Sequence, residues 1–285
     1  MSTALVTDST AYLPAPLLDG LDVRAVPLHV VVGGRTHAEG VDIDPAAVAS
    51  ALRAFTPVST SRPTPAAFID AYEAAVAAGA DAVVSVHLSE QMSSTISSAH
   101  LAAEQSLVPV TVIDSRALGM AMGFAVVAGA RLAATGASAE EVADAVRATC
   151  AGASVMFYVD TLEYLRRGGR IGKAGALLGS ALSIKPILGL RDGHIVPLER
   201  VRTSSRAIAR LEELAVEAAH AGVGEHGVDV AVQHLDSSDR AERLAERLRS
   251  RLGGGNEVVV VELGAVVGAH VGPGTLAVAV VPRVV

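Results

Sequence analysis

Up to about residue 152 the chain alternates two kinds of segment. Short runs rich in β-branched residues at 4–7, Ala82–His87 and 108–114 predict strands buried on both faces. Longer stretches at Pro45–Arg53, 65–78, 118–134 and 139–149 predict helices, the first two opening on proline at a first-turn position. The apolar run 23–32 predicts a strand that turns at Gly33-Gly34 into a hairpin. Strands alternating with helices argue for a parallel sheet covered on both faces. Ligands of such sheets bind beyond the carboxyl ends of the strands. Here those ends read TDST (7–10), HLSEQMSST (87–95) and DSR (114–116).

The second half is patterned differently. Residues 154–159 predict a strand, after which Asp160 is placed to cap a helix, with Glu163 completing a capping box. Gly168-Gly169 would end that helix, and 174–182 predicts another. Strands at 187–190 and 194–198 flank Asp192-Gly193, a strong hairpin signal. A helix at 205–221, a strand at 228–233 and a charged amphipathic helix at 236–252 with a solvated outer face follow. Strands at 258–263 and 276–281 flank a turn that holds His270 and Gly272-Pro273-Gly274. The reading is an N-terminal parallel-sheet α/β domain, 1–152, and a C-terminal α+β domain, 153–285.

Composition narrows the function. Of 285 residues 51% are apolar but only 3% aromatic, so the core is built from Ala, Val and Leu. The net charge of −7 argues against a nucleic-acid partner, because phosphate binding needs a basic surface. The single cysteine, Cys150, excludes an intrachain disulfide and a cysteine-based zinc site. The opening MSTALVTDST lacks the basic-then-apolar layout of a secretory signal, and the longest charge-free apolar stretch is too short to span a bilayer. A soluble cytoplasmic protein is expected.

RGGRIGKAG (167–175) invites a phosphate-loop reading and fails it. Arg167 stands where the first glycine is needed, and Ala174 follows the lysine in place of Ser or Thr. Neither a dinucleotide fingerprint nor a G-x-S-x-G nucleophile elbow occurs, and no cofactor or metal is expected. STSRPTP (59–65) and LSEQMSSTISSAH (88–100) each put several hydroxyls before a helix. That suits N-capping, and it also suits a small anion site. His270 at its glycine-proline turn could bond only to the turn, or could donate to that anion.

In order along the chain, TDST (7–10), TSRP (60–63), SEQMSSTISSA (89–99), IDSR (113–116), LEYLRRGGRIG (162–172), RVRT (200–203) and HVGPG (270–274) resemble the motifs of the DegV family. These are bacterial fatty-acid-binding subunits of fatty acid kinase. The resemblance implies that the two domains sandwich one long-chain fatty acid, its tail in an apolar tunnel and its carboxylate in a polar cluster. It puts Thr60, Ser93 and His270 on the carboxylate, with Ser61 and Ser94 in the same cluster. Arg170 and Arg202 become the basic residues near the mouth or the partner surface. It further implies that a separate ATP-dependent kinase subunit makes the acyl phosphate, which passes toward phospholipid synthesis, and it allows transient contact with a membrane surface. On this reading the chain is a substrate-presenting subunit and not itself an enzyme. Arg62 replaces the family's glutamine, Glu90 and Ser94 stand where glycine is common, and Ile96 replaces an aromatic. These departures bear on which acid is taken. The alternatives are a Ser-His hydrolase or acyl transferase built on Ser93 and His270, and a regulatory protein whose pocket has degenerated.

Overall fold

The computed structural model describes residues 2–177, 184–222, 226–253 and 257–284. In chain order the first half runs β1 (Thr3–Asp8), β2 (Val23–Val26), β3 (His29–Val32), β4 (Arg35–Ala38), α1 (Pro45–Arg53), β5 (Val58–Ser61) and α2 (Pro65–Ala77). It continues through β6 (Ala82–His87), α3 (Thr95–Ala103), β7 (Val110–Asp114), α4 (Met120–Ala134) and α5 (Ala139–Gly152). The second half runs β8 (Ser154–Tyr158), α6 (Glu163–Arg167), β9 (Lys185–Arg191), β10 (His194–Val201), α7 (Ser204–Gly222), β11 (Val228–His234), α8 (Ser238–Leu252), β12 (Val258–Glu262), α9 (Ala265–Val271) and β13 (Leu276–Pro282).

Strands of the first half make an all-parallel sheet, β2-β1-β6-β7, and a three-stranded antiparallel sheet, β4-β3-β5. Strands of the second half make a mixed six-stranded sheet, β10-β9-β8-β13-β11-β12. The protein is therefore α/β, with a parallel N-terminal sheet and a mixed C-terminal one. Helices α2 and α3 cover one face of the parallel sheet. Helices α4 and α5 fill the space between the two large sheets, and α7 and α8 cover the far face of the mixed sheet. A helix in that middle layer must be apolar all round. Helix α4, MAMGFAVVAGARLAA, is buried from Met120 through Val127 and again at Gly129 and Ala130. Its glycines permit close approach: a Cβ on Gly123 would collide with the Ala11 carbonyl, and one on Gly129 with Val146.

Several expectations need correction. The apolar run 23–32 is two strands in two sheets, because Pro27 lacks the N–H that a continuous ladder requires. Asp160 does not cap α6. The helix begins after Leu162, and Thr161 Oγ1 accepts from Glu163 N (3.2 Å), while Asp160 accepts from the Tyr158 hydroxyl (2.5 Å). Residues 172–177 form a 3-10 segment, Gly172–Leu177, and the remainder of the helix expected at 174–182 lies outside the described residues. Asp236 sits at φ 50 outside α8, which starts at Ser238. His270 lies not in a turn but in the last turn of α9, which the short apolar AVVGAHV concealed. Among the described residues no helix is long and apolar enough to cross a membrane.

Candidate functional site

Helix α9 belongs to the second half of the chain but is held by the first. Its opening N–H groups have no partner within the helix. Val266 N donates to Glu39 Oε1 (2.7 Å) and Val267 N to the Tyr12 hydroxyl (3.2 Å). That hydroxyl donates to Glu39 Oε1 (3.2 Å), and Ser9 Oγ donates to Glu39 Oε2 (2.5 Å). Burial pushes the Glu39 carboxyl above its usual range, opposed by these donors. Gly264 must be glycine for this cap, since a Cβ there would strike Glu39 and Tyr12.

At its other end α9 interlocks with α6. A Cβ on Gly168 would fall on Nδ1 of His270, one on Gly272 on the Tyr164 ring, and one on Gly274 on the Asp160 carboxylate. The motifs LEYLRRGGRIG and HVGPG, about a hundred residues apart in sequence, are thus two sides of one contact. Gly272 also takes φ +77, the left-handed region in which α9 can end.

His270 Nε2 lies 2.8 Å from Thr60 Oγ1 on β5, so the polar cluster closes across 210 residues of chain. Nδ1 is buried against Gly168 without a hydrogen-bond partner. Burial, and secondarily the positive charge of Arg170, push the imidazole down to about 4, so it is neutral at pH 7. A buried donor with no acceptor is the costlier arrangement. The tautomer that follows carries its proton on Nε2 and donates to Thr60 Oγ1, which leaves the Thr60 hydroxyl hydrogen free.

Thr60, Ser61, Ser93, Arg170 and His270 line one cavity, together with Arg62. Arg170 is exposed at its rim and fixed there, Nε donating to Met92 O (3.0 Å) and Nη1 to Gly168 O (2.7 Å). Ser93 Oγ pairs with Thr95 Oγ1 (2.9 Å). Ser94 and Arg202 are not brought to this lining and are exposed; Ser94 meets it only through Arg62, whose Nη1 donates to Ser94 O (3.4 Å). Ser93 has Thr95 as its hydroxyl partner and His270 has Thr60, so no Ser93–His270 bond of a nucleophile with its base is formed. Beyond the polar end the walls are apolar: Leu118 after the parallel sheet, Val155, Phe157 and Ala277 on the mixed sheet, Val266 and Val267 on α9. The arrangement suits an elongated apolar molecule with an anionic head. In such a fit the hydroxyls and cations would face the head, and the tail would lie along the apolar walls.

Sequence reasoning named Thr60 but not its setting, and it missed Glu39, Tyr12 and Gln233. Thr60 is on a strand, and the N-cap of α2 is Thr64, which accepts from Ala67 N (3.3 Å). Glu39 and Tyr12, the cap of α9, sit in connecting segments whose pairing nothing local announces. Gln233 lines the cavity from β11 and was readable as the one amide in VDVAVQH.

Known proteins share this architecture. A model of the family described as "Uncharacterised protein, DegV family" matches residues 2–283. A DegV domain-containing protein of Streptomyces coelicolor is 50% identical over 280 residues, covering 98% of each chain. Among solved structures, one described as fatty acid binding of a DegV family protein from Thermus thermophilus is 34% identical. It superposes with a TM-score of 0.91 over 99% of this chain and 100% of its own. DegV of Bacillus subtilis, described as a fatty acid binding protein, is 33% identical with a TM-score of 0.88 over 99% of each chain. With a family match across nearly its whole length and relatives this similar, the chain belongs to the DegV family.

Proposed function

We propose that this protein binds one long-chain fatty acid, its tail in the cavity between the two halves and its carboxylate at Thr60, Ser61, Ser93 and His270. The observation that carries the reading is the cavity itself, apolar along its walls and polar at one end, where Thr60 and His270 meet. Burying an acyl tail at ~0.8 kcal/mol per methylene contributes on the order of 10 kcal/mol. A carboxylate taken from water needs several donors in exchange. The freed Thr60 hydroxyl hydrogen is one, oriented by His270, and Ser61, Ser93 and the Arg170 guanidinium complete the set. The fatty acid binding described for the Thermus thermophilus and Bacillus subtilis proteins supports the same assignment.

The carboxylate end is the end that reaches solvent, at the exposed Arg170. This favours a second proposal carried by the family resemblance. The bound acid is presented head-first to a separate ATP-dependent kinase, which phosphorylates it, and Arg170 and Arg202 offer basic contacts to that partner. The domains divide at Gly152 on this reading, with the ligand between them. Organic extraction of freshly purified protein followed by mass spectrometry tests the binding, with a long-chain fatty acid as the expected product. Recovery of nothing under conditions that keep lipid, together with no binding of added palmitate, overturns it. Incubation with ATP and palmitate, with and without a fatty acid kinase subunit, tests the presentation. Acyl phosphate is expected only with the kinase.

A further inference from the structure

Gln233 is a polar side chain set into the apolar part of the cavity wall, and it is only 2% exposed. Its orientation is fixed. Oε1 accepts from Met120 N (2.9 Å), one of the unsatisfied donors that open α4. Because Met120 N can only donate, the amide oxygen must face it and the NH2 must face away. Gly119 seats the group, since a Cβ at that position would collide with the Gln233 amide. Among the described residues Nε2 has no hydrogen-bond partner, and it does not belong to the polar atoms sealed without one, so it stays open to the cavity. Thr275, which also lines the cavity just before β13, is already spent on Val271 O (3.1 Å) and Gly272 O (2.8 Å).

Gln233 shares one register row of the mixed sheet with Ala277 and Phe157, both on the apolar wall, whereas the carboxylate end is built from β5, the segment after β6 and the last turn of α9. The residue after it, His234, accepts from Leu263 N (2.7 Å), and Leu263 directly precedes Gly264, the N-cap of α9. His270 is six residues further along that helix, about 9 Å at 1.5 Å per residue. A ligand whose head sits at His270 and whose tail follows α9 toward its N-terminus would pass Gln233 at mid-chain.

An amide donor facing a saturated tail loses its water and gains nothing, which is unfavourable. A tail with an oxygen at that point would satisfy it. We propose that Gln233 is a specificity-determining residue that favours fatty acids oxygenated near mid-chain, hydroxy or oxo acids, over saturated acids of the same length. The inference rests on the fatty-acid reading above. Cis-unsaturated acids fall between the two, since a double bond offers only a weak π acceptor to an N–H.

The test is competitive binding of stearic, oleic and 10-hydroxystearic acids to the delipidated full-length protein, repeated on Gln233→Leu. The hydroxy acid should bind roughly threefold to tenfold more tightly than stearic acid, the range of one satisfied hydrogen bond. The variant should lose that ratio or invert it. The ratio within one protein does not depend on how much the variant is destabilised by leaving Met120 N unpaired, and the wild-type ratio needs no variant at all. Equal binding of the three acids by wild-type protein overturns the inference while leaving the fatty-acid reading intact. So does a preference for the hydroxy acid that persists unchanged in Gln233→Leu. Failure of every acid to bind overturns both.

Discussion

Gly168→Ala isolates the contact on which the polar cluster depends. Gly168 has φ −73, a value any residue adopts, so alanine meets no backbone penalty there and by itself should gain about 0.4–1 kcal/mol from a less flexible unfolded chain. The cost is steric and comes from one neighbour. The new Cβ falls on His270 Nδ1, while its other close contact, the Tyr164 carbonyl at 3.2 Å, relaxes by a few tenths of an ångström. The imidazole must turn away, which breaks its 2.8 Å bond to Thr60 and forces it into packed surroundings. The bond contributes about 0.5–1.5 kcal/mol and overpacking costs about 1–3 kcal/mol. After the alanine gain is set against them, a net destabilisation of about 2 kcal/mol is expected. In a His270→Ala background the collision is gone and the same substitution should be neutral or slightly stabilising. A double-mutant cycle read by urea denaturation measures the difference as a coupling energy of about 2–3 kcal/mol. Palmitate affinity should fall in Gly168→Ala alone, with no further fall when His270→Ala is added. A substitution that is harmless in wild-type protein, or equally costly with and without the imidazole, would refute the interlock.

Three other outcomes follow from the same site. His270 is neutral when folded down to about pH 4, whereas an unfolded histidine protonates near 6.5. The unfolded state therefore binds the extra proton between those values, and His270 costs stability progressively as pH falls from 6.5 to 4, by up to about 3 kcal/mol. His270→Gln should flatten the dependence of urea midpoint on pH across that window and change little above pH 7. Thr60→Val keeps the shape but leaves both ring nitrogens of His270 without a partner; it should cost about 1–3 kcal/mol in unfolding free energy and weaken palmitate binding by about tenfold in calorimetry. Glu39→Ala should free the N-terminus of α9, cost about 1–2 kcal/mol and raise amide exchange at Val266, whereas Glu39→Gln, which keeps an acceptor, should restore most of the protection.

The elements most legible in the sequence were those whose signal is local. Ala82–His87 is a short run rich in β-branched residues, and the strand spans the same residues. Pro45 and Pro65 each occupy the first turn of their helices, α1 and α2. Asp192 and Gly193 both take positive φ between β9 and β10, as their dipeptide indicated. What escaped depended on partners distant in sequence. The seven residues of α9 are too few for a helical period to stand out from the strands on either side, and the cap that starts the helix comes from Glu39, over 220 residues away. Asp160 looked like a cap on spacing alone, but the Tyr158 hydroxyl, Arg240 and the close approach of Gly274 claim its side chain. Thr60 was singled out for its hydroxyl. That its strand completes a separate three-stranded sheet could not be read from STSRPTP, where every residue but Arg62 also suits a helix start.

The distinction between a site and its scaffold is sharpest at the carboxyl ends of β1 and β6. Asp8, His87 and Ser85 stand in the order of a hydrolytic triad, with His87 Nδ1 3.1 Å from Asp8 Oδ2 and Nε2 2.7 Å from Ser85 Oγ. Geometry of this kind invites a catalytic reading, yet all three residues are 0% exposed, and none lines the cavity. The bonding explains why. An Asp8 carboxylate can only accept, so His87 Nδ1–H donates to it, while Nε2 is paired with Ser85 Oγ. Ser85 is also paired with the Tyr72 hydroxyl at 2.9 Å, which burial holds protonated by pushing it up to about 12 and which reaches Ala99 O at 3.4 Å. Ser85 has no room for a substrate and no spare proton path to one. Asp8 also accepts from Leu88 N (3.0 Å), Thr10 N (3.1 Å) and Thr10 Oγ1 (2.6 Å). The chain of hydrogen bonds therefore ties α2 to both central strands and fixes the turns that leave them. One turn leads to Ser9 and Tyr12, which help cap α9, and the other leads to Ser93 at the cavity. A buried polar network of this kind, with every member satisfied, specifies one arrangement of the loops it anchors. The TDST segment thus acts on the cavity from behind, by holding the elements that present Ser93 and His270, and not by touching what the cavity binds.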